Sequence, residues 1–263
     1  MDPAIPAFTP GEADTHVHTR HSCDSEMDPA AALQAARARG LRALVLAEHV
    51  DFDPADQGYG YYDAEAVKKT FAEFRIPNSE FRIFRGVEIT YQPQYQDAIR
   101  EFVRAGRFDW VIGSVHLVGP DDISRPEQRE RYFTARDQRR AYGDYLGEVE
   151  KLVASGLFDC LGHLDLCKRY GHAYYGPMDR ALFAPQVTRI LRGVVEKGMY
   201  IELNTSGLRQ DPGEPYPSLG VVREYLALGG DRLVLGSDAH APEHVGYAFP
   251  EMLAAIRSPW SSS

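Results

Sequence analysis

The sequence predicts an α/β fold in which buried parallel strands alternate with helices, either as an open doubly wound sheet or as a closed barrel. Three observations support it. Short apolar runs of strand length recur along the chain, helix-like segments that end at glycine lie between them, and residues able to bind metal follow most of the runs. Seven strands are predicted, at residues 13–18, 41–49, 81–89, 110–116, 158–163, 200–205 and 232–238.

The first helix and the strand after it show the repeating unit most clearly. Asp28 is a suitable N-cap, Pro29 suits the first helical position, and Gly40 is able to end the helix. The next strand has a continuous apolar run at 43–47, which is typical of a strand buried on both faces of a parallel sheet. Further helices are predicted at 94–105, in a long segment ending near 155, at 179–197 and at 221–228. No GxGxxG follows a strand, which argues against dinucleotide binding.

Composition limits the classes of function. The chain has 263 residues, 44% of them hydrophobic, and we expect one domain over 1–263 with frayed ends at 1–11 and 258–263. The longest run without a charged residue, 110–120, is shorter than the roughly 20 residues of a membrane span. Three cysteines without CxxC spacing favour a reducing, cytoplasmic location. A net charge of −9 argues against a nucleic-acid partner but allows a small phosphorylated substrate beside bound cations.

The ends of the predicted strands carry the chemistry. Six of the nine histidines lie there, and Glu88 and Asp238 occupy equivalent places. The carboxyl ends of parallel strands converge on one mouth, where active sites are built. Gathering imidazoles and carboxylates there is costly without a cation to share, so the pattern predicts a metal site for Zn, Fe or Mn. The six histidines are His16, His18, His49, His116, His163 and His240.

The number of candidate ligands exceeds the three or four that one catalytic zinc uses. Two or three divalent ions that share a bridging carboxylate therefore explain the set better than one ion does. Such clusters generate hydroxide at neutral pH and neutralise charge on phosphoryl oxygens.

These motifs also resemble a known family, the polymerase-and-histidinol-phosphatase (PHP) superfamily. The resemblance spans residues 12–250, and the segments 202–209 and 216–218 are similar to the L-histidinol-phosphate phosphatases of that superfamily. It implies a distorted (β/α)7 TIM-like barrel, a trinuclear metal centre at the carboxyl ends of the strands, and hydrolysis of L-histidinol phosphate by a metal-bridging hydroxide. The motifs that carry it are His16-Val17-His18-Thr19, Glu48-His49, Gly86-Val87-Glu88, Ser114-Val115-His116, Gly162-His163-Leu164-Asp165 and Gly236-Ser237-Asp238-Ala239-His240.

The resemblance also implies which residues hold each ion. The first ion would be held by His16, His18, Glu88 and Asp238, the second by Glu88, His116 and His163, and the third by Asp24, His49 and His240. The family uses Asp or His shortly after its HxH motif. Asp24 fits that place, and His21, three residues earlier, is a rival.

Four further residues are candidates for binding substrate. Lys168 and Arg169 follow His163 closely, Arg209 lies in the loop after the sixth strand, and guanidinium groups suit bidentate phosphate binding. Asn204 is a poor metal ligand and is expected to hydrogen-bond substrate or a group behind the ligands. For catalysis, Asp238 would manage the proton of the attacking water, and Arg169 would stabilise the transition state.

Other interpretations stay open at this point. The chain could be a PHP-type phosphoesterase for a nucleotide or another phosphomonoester, a metal-dependent amidohydrolase, or a metal-binding module without turnover. GxSxG and CxxxxxR arrangements are both absent, which argues against the usual serine esterases and cysteine phosphatases. His172 and His244 are expected at the surface, and Cys160 and Cys167 in the core.

Overall fold

The structure, a computed structural model, describes residues 6–74 and 80–258. Seven parallel strands form one sheet in the order β1, β2, β3, β4, β7, β8, β9. A short antiparallel pair, β5 with β6, follows β4. The strands are β1 (Ala13–Val17), β2 (Ala43–Val50), β3 (Arg82–Thr90), β4 (Trp110–Ser114), β5 (Leu117–Val118), β6 (Asp121–Asp122), β7 (Cys160–Leu161), β8 (Tyr200–Asn204) and β9 (Leu233–Gly236).

Helices connect successive strands of the sheet. Asp28 caps the first helix by accepting a hydrogen bond from the backbone N–H of Ala30, and Gly40 follows its end with a φ of 75°, so both expectations for this helix are confirmed. None of the described helices is both long enough and apolar enough to cross a membrane. The helices are α1 (Pro29–Ala38), α2 (Ala64–Phe74), α3 (Gln96–Gly106), α4 (Pro126–Thr134), α5 (Gln138–Ser155), α6 (Cys167–Tyr175), α7 (Arg180–Lys197), α8 (Leu219–Ala227) and α9 (Phe249–Arg257).

The first and last strands meet and nearly close the sheet into a barrel. The backbone N–H of Asp238 donates to the carbonyl of His16 at 2.8 Å, and the N–H of His18 donates to the carbonyl of Ala239 at 2.9 Å. The buried Asp14 carboxylate strengthens this seam by accepting hydrogen bonds from Ser237 and from the backbone N–H of Gly246. The predicted distorted (β/α)7 barrel is therefore confirmed.

The amino-terminal end of the barrel is covered by an aromatic cluster. Phe8 is 7% exposed and lies edge-on to Phe84 and Trp110, each at a ring-centroid distance of 5.2 Å. The expectation that residues 1–11 fray is therefore wrong from residue 6 onward, because burying a large aromatic ring fixes the chain there. The remainder of the expected frayed ends, 1–5 and 259–263, lies outside the described residues.

Element boundaries differ from the predicted ones mainly around β7. The predicted strand 158–163 shortens to Cys160–Leu161, because the backbone N–H of His163 donates to the Glu202 carboxylate at 2.8 Å and not to a neighbouring strand. The predicted helix 94–105 begins as a 3-10 turn, Pro93–Tyr95, and continues as α3. Cys160 and Cys167 are buried, as expected.

Candidate metal centre

All nine predicted metal ligands converge at the carboxyl ends of the strands. Nitrogen and carboxylate oxygen atoms form three groups, and within each group the candidate ligand atoms lie within 4.8 Å of one another. Three of the residues in these groups lie within the last three positions of a barrel strand and three more follow a strand within two residues, which is why the topology brings them together. The groups are His16 with His18 and Glu88, Glu88 with His116 and His163, and His18 with His49 and His240.

Glu88 lies at the centre of the cluster, on β3. It is 1% exposed, and five imidazole nitrogens surround its two carboxylate oxygens. No other described carboxylate faces as many histidines, so Glu88 is the residue placed to bridge ions. The distances are 3.2 Å to Nε2 of His16, 3.4 Å to Nε2 of His18, 3.3 Å to Nδ1 of His49, 3.7 Å to Nε2 of His116 and 2.8 Å to Nε2 of His163.

The structure places Asp24 in the cluster and His21 outside it. A carboxylate oxygen of Asp24 lies 3.0 Å from Nε2 of His240 and 3.4 Å from Nε2 of His49. The Nε2 atom of His21 instead lies 2.9 Å from the hydroxyl of Thr70, on α2. The geometry thus separates the two rival ligands that the sequence leaves open, in favour of Asp24.

Asp238 approaches the cluster from the last strand. Its Oδ1 lies 3.5 Å from Nε2 of His18 and 3.6 Å from Nδ1 of His240. The backbone of Asp238 has a φ of 52°, a left-handed conformation that costs a non-glycine residue of order 1 kcal/mol or more. The hydrogen bond from its N–H to His16 helps to hold this conformation.

The charges in the cluster perturb one another strongly. Burial would raise the pKa of the Glu88 carboxyl, but the charges of His16 and His49 hold that pKa well below its usual range. Burial, reinforced by the imidazoles of His49 and His240, holds the pKa of His18 well below its usual range. Burial would lower the pKa of His49 too, yet Glu88 and Asp24 raise it to about 10. The shifts of Glu88 and His18 favour an ionised carboxylate and a neutral imidazole, the state that a metal ion requires of its ligands, whereas His49 would have to release a proton when a metal binds.

Three buried imidazole nitrogens make no hydrogen bond with a described residue, although two of them lie close to carboxylate oxygens of Glu88. Nε2 of His16, Nε2 of His18 and Nδ1 of His163 are buried and lack a hydrogen bond. Leaving such atoms unsatisfied costs about 1–3 kcal/mol each. Imidazole nitrogens and carboxylate oxygens together suit Zn, Fe or Mn, so the residues present fit the implied metal ions.

Groups behind the ligands orient them. Nδ1 of His16 lies 2.7 Å from Glu202, Nδ1 of His116 lies 2.9 Å from the hydroxyl of Thr90, and Nδ1 of His18 lies 3.2 Å from the hydroxyl of Ser22. Sequence analysis assigned no role to Glu202. The sequence does contain a signal for Glu202: it lies in the middle of an otherwise apolar buried strand, where a carboxylate needs a polar partner.

Above the cluster the mouth opens into a cavity of about 850 Å³. Arg169 and Arg209 line it, together with Arg129, which the sequence analysis did not single out. Arg209 donates to the carbonyls of Ser237 and Asp238 at 3.0 and 3.4 Å, while its buried Nη1 has no partner among the described residues. His244 also lines the cavity, at the partly exposed position expected for it.

Lys168 does not face this cavity. It is 2% exposed, and Nζ donates to Asp165 at 3.0 Å, to Glu214 at 2.9 Å and to the carbonyl of Pro215 at 2.9 Å. An ammonium group has three donors, and all three are used. The expected phosphate contact of Lys168 is therefore contradicted by the geometry, because this side chain ties α6 to the segment after β8.

Asn204 is also turned away from substrate. It is fully buried, its side-chain oxygen accepts from the backbone N–H of Ser206 at 2.9 Å, and its amide donates to Glu202 at 3.2 Å. Of the two roles expected for Asn204, the structure supports the hydrogen bond to a group behind the ligands and not the contact with substrate.

The fold and the site together define a metal-binding α/β barrel whose centre lies at the carboxyl ends of its parallel strands. The family model for the PHP domain matches residues 14–206 of this chain. The chain belongs to the PHP domain family.

Individual relatives agree with this family. A protein described as a probable histidinol-phosphatase from Deinococcus radiodurans is 35% identical over 257 residues, covering 94% of this chain and 93% of the relative. The histidinol-phosphatase of Lactococcus lactis is 28% identical, covering 86% and 83%. A solved structure of histidinol phosphate phosphatase from Lactococcus lactis, complexed with zinc, L-histidinol and phosphate, has a TM-score of 0.82 and 24% identity, covering 95% of this chain and 94% of that one.

Proposed function

We propose that this protein is a metal-dependent phosphomonoesterase that hydrolyses L-histidinol phosphate to L-histidinol and phosphate. The observation that carries the proposal is one cavity that joins the Glu88-centred cluster to the guanidinium groups of Arg169 and Arg209. Cationic groups on both sides of a reacting phosphate are what phosphoryl transfer requires. The relatives named histidinol-phosphatase, similar over nearly the whole chain, support this substrate.

The nine clustered residues would hold two or three divalent ions of Zn, Fe or Mn. Glu88 would be a ligand shared between ions, and the histidines on or just after β1, β2, β4 and β7 would supply most of the remaining ligands. When bound, such ions supply hydroxide at neutral pH and neutralise charge on phosphoryl oxygens. Glu202, Thr90 and Ser22 fix the orientations of the imidazole rings from behind.

The chain's own residues bind and orient the substrate. Arg169 and Arg209 bind the terminal phosphate oxygens, where the planar guanidinium group matches the geometry of the anion. Neither arginine forms an ion pair with a described carboxylate, so both are available to an anion. Asp238 would take the proton of the attacking water at a carboxylate oxygen. The charges of His16 and His240 outweigh its burial, hold its pKa well below the usual range and so keep this carboxylate ionised.

The cationic end of the substrate requires polar or acidic groups at the rim. Glu48 is unsuited to this role because it is buried and accepts hydrogen bonds from Thr19 and Ser22. Gln57 and Asp211 line the cavity instead. We assign the ammonium and imidazole of L-histidinol phosphate to contacts with these two residues.

The test is a comparison of kcat/KM for L-histidinol phosphate and for p-nitrophenyl phosphate, measured on the same zinc-, iron- or manganese-loaded preparation. We expect L-histidinol phosphate to be preferred by at least about tenfold, because only it can use the rim contacts. A tenfold preference for the generic ester or for a nucleotide would overturn the substrate assignment, while a metal-dependent phosphomonoesterase would remain.

A further inference from the structure

A third arginine stands at the mouth of the cavity, and it comes from a different part of the fold. Arg129 lies on α4, in the segment between β4 and β7, whereas Arg169 lies on α6 and Arg209 follows β8. Helix α4 packs against α6, and the stacked rings of Phe133 and Tyr174 join them at a centroid distance of 5.4 Å. This packing brings Arg129 beside Arg169.

The two guanidinium groups share one aromatic ring. The guanidinium carbon of Arg169 lies 5.0 Å from the ring centroid of Tyr170, and that of Arg129 lies 5.6 Å from it. Tyr170 is 9% exposed and lines the same cavity. Two like charges held against one partly desolvated ring repel each other, and an anion between them relieves that repulsion.

Other arginines of the same region are neutralised by carboxylates. Arg131, on the same helix as Arg129, forms an ion pair with Asp121, and Arg136 lies 3.8 Å from Asp121. Arg129 forms no ion pair with a described residue. In a chain of net charge −9, an unpaired guanidinium group that faces a cavity is placed to meet an anion.

We propose that Arg129 is a phosphate-binding residue that acts together with Arg169 on the terminal oxygens of the substrate. Each of the three terminal oxygens has more than one lone pair, so the phosphate offers more acceptor positions than the guanidinium groups of Arg169 and Arg209 fill, and a third guanidinium group is accommodated. A contact of Arg129 with the ammonium or imidazolium end is disfavoured by like charge. The inference rests on the proposed phosphomonoesterase function, but it concerns the phosphate that every phosphomonoester shares.

The experiment measures the inhibition constant of inorganic phosphate and the KM of two substrates, p-nitrophenyl phosphate and L-histidinol phosphate. For Arg129→Gln we expect all three values to rise by roughly tenfold, the effect of losing one charged hydrogen-bonding partner, with kcat and metal content nearly unchanged. Arg129→Lys keeps the positive charge but loses the two parallel N–H donors of the guanidinium group, so it should give intermediate values. Arg131→Gln removes a positive charge from the same helix outside the cavity and should match the wild type.

Two outcomes would overturn the inference. If phosphate inhibition of Arg129→Gln and Arg129→Lys stays within twofold of the wild type while only the melting temperature falls, Arg129 serves α4 packing alone. If KM rises for L-histidinol phosphate only, Arg129 acts on the other end of the substrate. Failure of the proposed function would give a different result, namely a wild type without preference for L-histidinol phosphate. The phosphate inhibition constants of the wild type and the Arg129 variants could still be compared in that case, so the two failures are distinguishable.

Discussion

Nδ1 of His16 lies 2.7 Å from a carboxylate oxygen of Glu202, and both side chains are shielded from solvent. The second oxygen of Glu202 accepts from the backbone N–H of His163 at 2.8 Å and from the side chain of Asn204 at 3.2 Å. One carboxylate therefore orients two metal-binding residues from different strands. When Nε2 of His16 binds a metal, its Nδ1 carries the proton, and all three partners of Glu202 are then donors.

We expect Glu202→Gln to lower metal affinity or activity by about 10- to 100-fold, the usual effect of losing a group that orients a metal ligand. The amide places an N–H where a donor already points, so one of the three hydrogen bonds is lost. Elemental analysis after dialysis and kcat at saturating metal check this. Glu150→Gln, which changes a surface residue paired with Arg189, is the matched control. Wild-type metal content in Glu202→Gln would contradict the role.

Glu88→Gln should cost at least ~10²-fold in kcat, the loss typical of one electrostatic element of a site. An amide cannot bridge two cations as a carboxylate does, and five imidazoles would lose their shared counter-charge. Turnover of p-nitrophenyl phosphate and metal content are the measurements. His172→Gln, on α6 and outside the cavity lining, should leave both unchanged. Near-normal turnover with full metal content in Glu88→Gln would rule out the bridging role.

Removal of metal should abolish phosphatase activity, and added Zn, Fe or Mn should restore it. The reason is that no described residue at the mouth offers a nucleophile activated by a base in the manner of serine or cysteine hydrolases. The measurement is activity before chelation, after it and after reloading, beside elemental analysis that should show more than one metal equivalent. Full turnover by metal-free protein would disprove the mechanism.

Arg169→Ala should raise KM by roughly tenfold for L-histidinol phosphate and for p-nitrophenyl phosphate alike, because it removes a contact to the group that both substrates share. Arg192→Ala, an exposed position on α7, serves as the control. A variant of a rim residue such as Asp211→Asn should instead affect L-histidinol phosphate alone. Equal losses for both substrates in Asp211→Asn would contradict its assignment to the cationic end.

Burial raises the pKa of Asp159 from 3.8 to about 6, although its carboxylate accepts a hydrogen bond from the backbone N–H of Val111 at 2.8 Å. The folded state therefore binds the proton more tightly than the unfolded state, and this group's contribution to stability falls as pH rises from about 4 to about 6. Asp159→Asn keeps an acceptor and has no charge to bury. Relative to the wild type, its free energy of unfolding should rise by up to ~3 kcal/mol over that interval.

Urea denaturation of both proteins at pH 4, 5, 6 and 7 checks this expectation. Only the difference between variant and wild type is used, because the metal ligands titrate equally in both. A difference that does not change with pH would show that the pKa of Asp159 is the same in the folded and unfolded states.

The fold and the convergence of the candidate metal ligands could be predicted from the sequence because one rule places them. Parallel strands point the same way, so side chains that follow them, such as His16, Glu88 and His163, must meet at one end. The rule says nothing about helices in the connecting segments. Arg129 and Arg131 lie two positions apart in similar surroundings of charged residues, and only the packing of α4 on α6 separates the unpaired one from the paired one.

Lys168 and Arg169 are a second case in which the sequence does not show which of two nearby basic residues faces the cavity. Adjacent residues on a helix point about 100° apart, so one faces the mouth while the other faces the protein interior. The sequence places both near a phosphate but does not fix the rotation of α6. Asp165 and Glu214, which accept hydrogen bonds from Lys168, hold that rotation, and in the sequence they are separated by α6, α7 and β8.

The seam between β1 and β9 links folding to the assembly of the candidate metal sites. His16 and His18 come from the first strand, and Asp238 and His240 come from the last, so the sites they share are incomplete until a nearly full-length chain has closed on itself. If these residues bind metal as proposed, metal binding and closure of the seam are linked equilibria, and each bound ion would stabilise the closed state by mass action. The ions would then offset the loss of chain entropy that comes from closing a loop of more than two hundred residues.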